Sequence, residues 1–135
     1  MDFAESKFSK YVVLVGRVLY SSLFILCGLG HFSAKSIEFA MNRGVPMANV
    51  LVPLSGIIAL LGGLSILLGY RARIGAWLLV IFLAAVTFSM HKFWTIPDAK
   101  AAMIEYIMFV KNLSLLGAAL LIAHFGSGPM SLSSK

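Results

Sequence analysis

The sequence predicts an all-α integral membrane protein, one domain built as a bundle of four transmembrane helices. Of its 135 residues, 60% are hydrophobic and 12% are charged, about half the charged fraction of a soluble domain. The apolar residues form four runs of spanning length joined by short connections. Because a hydrocarbon core of roughly 30 Å takes about 20 helical residues, four crossings use most of the chain.

The predicted helices cover residues 11–30, 48–69, 74–90 and 104–125 of a single domain, residues 1–135. The first run lacks a small-residue cleavage site after it, so we expect a retained helix rather than a signal peptide. Residues 36–41 suit a short amphipathic segment at the membrane interface. Residues 70–73 form a tight basic link, which makes the second and third helices an antiparallel hairpin.

Small residues indicate where these helices touch, because close packing drives helix association in lipid. The second helix has two small faces, one with Gly56, Ala59 and Gly63 and one with Gly62 and Ser65, which places it at the centre of the bundle. Gly16 and Gly117 are expected to have the same packing role.

The net charge of +6 comes from cations at helix ends, so it indicates membrane orientation and not nucleic-acid binding. On the side of both termini and the second connection are Lys7, Lys10, Arg71, Arg73 and Lys135, against Lys35, Arg43, Lys92 and Lys100 opposite. This slight excess favours both termini in the cytoplasm.

Cys27 is the only cysteine. A single cysteine excludes an internal disulfide, a C-x-x-C redox pair and a thiolate metal cluster within one chain. We expect Cys27 to be a buried small hydrophobe.

Arg17 lies about two turns into the first helix, where a charge that faces lipid is costly. Two interpretations remain open for it. Either a partner inside the protein holds the guanidinium, or the long side chain extends to the nearby membrane surface.

A second group of polar residues is predicted at the membrane side opposite the termini. The antiparallel order brings the helix ends at His31 and His91 to the same side as Glu105 and Lys111, and Asn112 shares a helical face with Glu105. These residue types suit a proton relay, or they anchor helix ends at the interface. Their spacing does not predict a metal site.

Aromatic residues accompany this group, namely Phe88, Phe93, Trp94, Tyr106 and Phe109. Such a belt beside His91 and Lys92 would suit the flat ring of a quinone. Most membrane proteins also have an aromatic girdle without any quinone, so both interpretations stay open.

Several short motifs resemble the DoxX family of small four-helix membrane proteins. They are Gly16-Arg17, Gly62-Gly63 with Gly69, His91-Lys92-Phe93-Trp94, Lys111-Asn112-Leu113, and the breaker-rich tail that starts at Gly126. The likeness covers nearly the whole chain. This chain departs from the family at Ala59, where many members have glutamate, and at His31, where many have lysine.

The resemblance implies a protein of the bacterial inner (plasma) membrane that is tied to redox metabolism. Relatives in that family include a subunit of a thiosulfate:quinone oxidoreductase, and a distant eukaryotic relative is a cargo receptor of the early secretory pathway. If the missing glutamate normally balances Arg17, this arginine needs hydroxyl partners such as Tyr20 or Ser65, or water.

Three functions follow as hypotheses. The first is a non-catalytic membrane subunit or assembly partner of a redox enzyme, because the connections are short and a complete catalytic constellation is lacking. The second is a quinone-linked oxidoreductase component that uses Arg17, His31, His91, Lys92, Trp94, Glu105, Lys111 and Asn112. The third is a small-molecule transporter that would work as a homo-oligomer.

Overall fold

The computed structural model describes residues 6–133, and this part of the chain is all-helical, without a strand. Its elements are α1 (Lys7–Gly30), α2 (Ala34–Asn42), α3 (Ala48–Leu68), α4 (Ala72–Met90), a 3₁₀ turn (Phe93–Thr95) and α5 (Ala99–Phe125). The four longest helices, α1, α3, α4 and α5, are long and apolar enough to cross a membrane. The predicted fold class is confirmed.

Side-chain caps fix where three helices begin, and Ser6 accepts a hydrogen bond from the Ser9 N–H at 3.1 Å at the start of α1. Asp98 accepts a hydrogen bond from the Ala101 backbone N–H at 2.8 Å, so α5 begins at Ala99. Ser33 accepts one from the Ser36 N–H at 3.2 Å and starts α2. This nine-residue helix follows α1 directly and precedes α3.

Helix α3 packs between α1 and α4, and α5 packs on α4. The two small faces of α3 explain this order, because each meets one neighbour. A Cβ atom at Gly56 would lie 2.8 Å from the Cβ of His31, the residue that follows α1. A Cβ atom at Gly62 would lie 2.7 Å from Leu79 Cδ2 of α4. Only glycine permits such a close approach.

Three packing expectations are wrong. At Gly16 and Gly117 an added Cβ would have no neighbour within 4 Å among the described residues, so neither glycine mediates helix contact there. Cys27 is exposed on the surface of the bundle and not buried.

Other small residues of α1 and α5 do lie at contacts: a Cβ at Gly28 of α1 would lie 2.9 Å from Leu60 Cγ, and Ala119 of α5 is fully buried. Tyr20 Oη also joins the two helices by donating to the Leu115 carbonyl at 2.8 Å.

After α5 the chain turns at Gly126 and Gly128, whose φ values are 84° and 74°, and returns across the end of α3. The Leu132 N–H donates to the Leu68 carbonyl at 3.0 Å, and the Ser133 N–H donates to the Gly69 carbonyl at 2.9 Å. These bonds satisfy carbonyl groups that a helix end leaves free. Lys135, counted in the charge comparison, lies outside the described residues.

Candidate functional site

Glu105 is the centre of a polar cluster at the membrane face opposite the termini. Its Oε2 lies 2.6 Å from His91 Nδ1, and its Oε1 accepts a hydrogen bond from Arg43 Nη2 at 2.8 Å. Arg43 Nη1 also donates to the Met90 carbonyl at 2.8 Å. The cluster therefore ties the end of α2 to the end of α4 and to α5.

Each member of the cluster sits at or near a helix end. His91 is the C-terminal cap of α4, and Arg43 is the cap of α2 with its guanidinium 4.8 Å from the centre of the Phe39 ring. Glu105 belongs to the second turn of α5 and its side chain is 13% exposed. A partly buried carboxylate with two basic partners is a stable arrangement because both oxygens are satisfied.

A large pocket lies beside this cluster, between α2 and the facing halves of α3 and α4. Its volume is about 690 Å³, within the range of roughly 300–1,000 Å³ that small-molecule sites occupy. Most of its wall is apolar. The lining residues are His31, Lys35, Ser36, Phe39, Ala40, Val45, Pro46, Leu51, Val52, Leu54, Ser55, Ile58, Ile81, Phe82, Ala85, Val86, Ser89, Met90 and His91.

His31 forms part of the pocket wall just beyond the end of α1. Ser55 Oγ donates its proton to the Val52 carbonyl at 2.7 Å, so it accepts from His31 Nδ1, 2.9 Å away. Burial lowers the pKa of His31, although a hydrogen bond to the Val52 backbone acts in the opposite direction. The ring also packs on Phe82, with centroids 5.7 Å apart.

The other predicted residues on this side do not join the cluster. Lys111 is exposed and donates to Met108 Sδ at 3.4 Å, and Asn112 is buried in α5. Lys92 precedes the 3₁₀ turn, where its carbonyl accepts from Thr95 Oγ1 at 2.7 Å. Trp94 is 57% exposed.

The predicted aromatic belt forms a set of edge-to-face ring contacts outside the pocket. Phe93 lies 5.1 Å from Tyr106, 5.2 Å from Trp94 and 5.4 Å from Phe109, measured between ring centroids. Phe88 lies 5.4 Å from Phe109. That a quinone ring binds at this belt stays a prediction.

Arg17 is at the other membrane face and faces protein. It is 5% exposed, and its guanidinium donates to the Met130 carbonyl at 2.6 Å, to the Ser127 carbonyl at 3.3 Å and to Ser131 Oγ. Its partners are thus in the C-terminal segment and are not Tyr20 or Ser65, because Ser65 Oγ donates to Tyr70 and Tyr20 Oη to Leu115.

Sequence reasoning missed Arg43 as a member of the polar cluster. Arg43 was counted only as a connecting-loop charge, and its distance of 62 positions from Glu105 gives no local signal. The amphipathic segment before Arg43 is the signal that could have indicated this role, since a helix there must lie against the bundle. In the described part of the chain, His, Cys, Asp and Glu side chains do not gather in groups of three or more.

The fold and this site define a multi-pass membrane protein with a ligand-sized apolar pocket at one membrane face. The sequence matches the model of the SURF4 family over residues 2–135, and the chain belongs to that family. It is similar to the Surfeit locus protein 4 homolog of Drosophila melanogaster, 27% identical over 133 residues. This match covers 97% of the chain and 43% of the relative, so the chain spans less than half of that protein's length. No solved structure matches the chain significantly.

Membership in the DoxX family, suggested by short motifs, is therefore wrong. The three functional hypotheses are wrong as well, namely a subunit or assembly partner of a redox enzyme, a quinone-linked oxidoreductase component, and a transporter. The motifs misled because small residues at helix contacts and polar or aromatic residues at helix ends are common to many membrane bundles.

Proposed function

We propose that this chain is a membrane-embedded binding protein that holds an apolar ligand in the pocket beneath α2. The observation that carries the proposal is the pocket itself, about 690 Å³ with a mostly apolar wall. The polar groups of that wall are held by hydrogen bonds, His31 with Ser55 and His91 with Glu105, and these bonds fix its shape.

The ligand would enter from the hydrocarbon of the bilayer. Leu54 of α3 and Ile81 of α4 both line the pocket and are 46% and 60% exposed. In a spanning helix such side chains face lipid acyl chains. An apolar molecule dissolved in the membrane therefore reaches the pocket without crossing water.

We propose the orientation with both termini in the cytoplasm, which puts the pocket at the opposite face. This orientation rests on a slight excess of cations at the termini side. Lys7, Lys10, Arg71 and Arg73 lie there, against Lys35, Lys92 and Lys100 on the pocket side, where Arg43 is engaged by Glu105. A bacterial inner membrane was implied by the DoxX resemblance alone and has no support, since the relative is from an insect.

The proposal is tested by filling the pocket. Ala85→Phe adds a ring at a pocket-lining position whose side chain is exposed, whereas Gly117→Phe adds the same ring in α5 outside the pocket, where an added Cβ has no neighbour within 4 Å. Both variants and the parent would be extracted in lipid nanodiscs and their retained ligands identified by native mass spectrometry. A bound apolar ligand that Ala85→Phe alone loses supports the proposal, and equal retention in all three contradicts it.

A further inference from the structure

We propose that the ligand of this pocket is an anionic lipid, with an acyl chain between α3 and α4 and an acidic headgroup at Lys35. The inference rests on the proposed binding function and specifies its ligand. The lipid comes from the membrane leaflet at the pocket's face.

The charge of the pocket wall supports an anionic headgroup. Its titratable lining residues are all bases, namely His31, Lys35 and His91, and no carboxylate lines it. The nearest acid of the cluster, Glu105, has both oxygens bound by Arg43 and His91. His31 and His91 are engaged with Ser55 and Glu105, so the positive charge of the wall comes from Lys35. An ammonium group at headgroup level attracts an acidic lipid headgroup.

The polar part of the wall lies at the rim and the apolar part lies deeper in the membrane, which is the arrangement that an amphiphilic ligand requires. Lys35 and Ser36 belong to the first turn of α2, and Lys35 is exposed at the rim. Ile58 and Phe82, by contrast, belong to the middle of the spanning helices α3 and α4. A lysine at this depth keeps its ammonium at headgroup level while its stem lies along the apolar wall.

A second lysine at the same membrane face separates a site at Lys35 from general attraction of anionic lipid to that face. Lys100 is exposed in the first turn of α5 and does not line the pocket. Lys35→Gln and Lys100→Gln remove one positive charge each from the same membrane face. Only the first removes it from the pocket.

The experiment measures bound lipid by native mass spectrometry from nanodiscs that contain phosphatidylglycerol and phosphatidylcholine in equal amounts with identical acyl chains. We expect the parent and Lys100→Gln to retain phosphatidylglycerol preferentially, and Lys35→Gln to lower that preference about fivefold, the effect of one lysine at a lipid surface.

Three results overturn the inference. If both lysine variants lose the preference equally, general surface attraction explains it. If the parent retains both lipids equally and Ala85→Phe loses both, the headgroup inference fails while the binding function stands. Retention of neither lipid by the parent contradicts the anionic-lipid inference, and the pocket-filling comparison then decides the binding function separately.

Discussion

Arg17 Nη2 donates a hydrogen bond to the carbonyl oxygen of Met130 at 2.6 Å, although the two residues are 113 positions apart. This contact and those to Ser127 and Ser131 hold the C-terminal segment against α1. The segment in turn bonds the last carbonyl groups of α3. One buried arginine therefore links the first spanning helix, the end of the second and the residues after the last.

Loss of Arg17 should release this C-terminal segment. Ser127 is 5% exposed, so a cysteine in its place, in a Cys27→Ala background, should react slowly with a water-soluble maleimide. We expect Arg17→Gln to accelerate that labelling and to lower the free energy of unfolding by about 1.5–3 kcal/mol, the contribution of a charged hydrogen bond. Lys10→Gln, at an exposed position of α1, is the control, and fast labelling in the parent would contradict the contact.

Gly56 should be intolerant of even one added methyl group. A Cβ there would lie 2.8 Å from His31 Cβ and 2.9 Å from the Gly28 carbonyl oxygen, so Gly56→Ala must separate α1 from α3. We expect a loss of about 1–3 kcal/mol, as for other overpacked cores. Gly16→Ala has no such neighbour and should be neutral or slightly stabilising, since alanine favours helix. Thermal unfolding in mild detergent compares them, and equal shifts would refute the packing.

The Arg43–Glu105 pair should show energetic coupling. The two residues share a hydrogen bond of 2.8 Å and connect α2 to α5. In a double-mutant cycle with Arg43→Gln and Glu105→Gln, unfolding in detergent should give an interaction energy of about 0.5–3 kcal/mol. Additive single effects would mean that the two side chains do not interact in the folded protein.

His31 should make stability depend on pH. Burial lowers its pKa below the ordinary value of 6.5, so the unfolded chain binds the proton more tightly than the folded one. The stability that neutral His31 contributes is therefore complete above about pH 6.5 and is lost as the pH falls below that value. His31→Gln should reduce the loss of melting temperature between about pH 7 and about pH 5. An unchanged pH profile would show that His31 protonates freely in the folded protein.

The sequence predicted the spanning helices more fully than it predicted the site. Four apolar runs predict four spanning helices because hydrocarbon imposes both length and composition. The proximity of His91 and Glu105 followed from the antiparallel order of the helices. The partners of Arg17 and the role of Arg43 could not be predicted, because they depend on how the tail and α2 fold back on the bundle. The pocket could not be predicted for the same reason, since its wall combines residues of α2, α3 and α4 with residues of the connections around them.

The most direct test of the central claim compares the pocket with the ordinary lipid-facing surface. A photo-crosslinking amino acid would replace Val86, which lines the pocket, or Ile107 of α5, which is 56% exposed outside it. After irradiation in native membranes, mass spectrometry would identify the adducts at each position. A defined ligand enriched at position 86 and absent at position 107 is the predicted result. The same mixture of bulk lipids at both positions would contradict a binding site beneath α2.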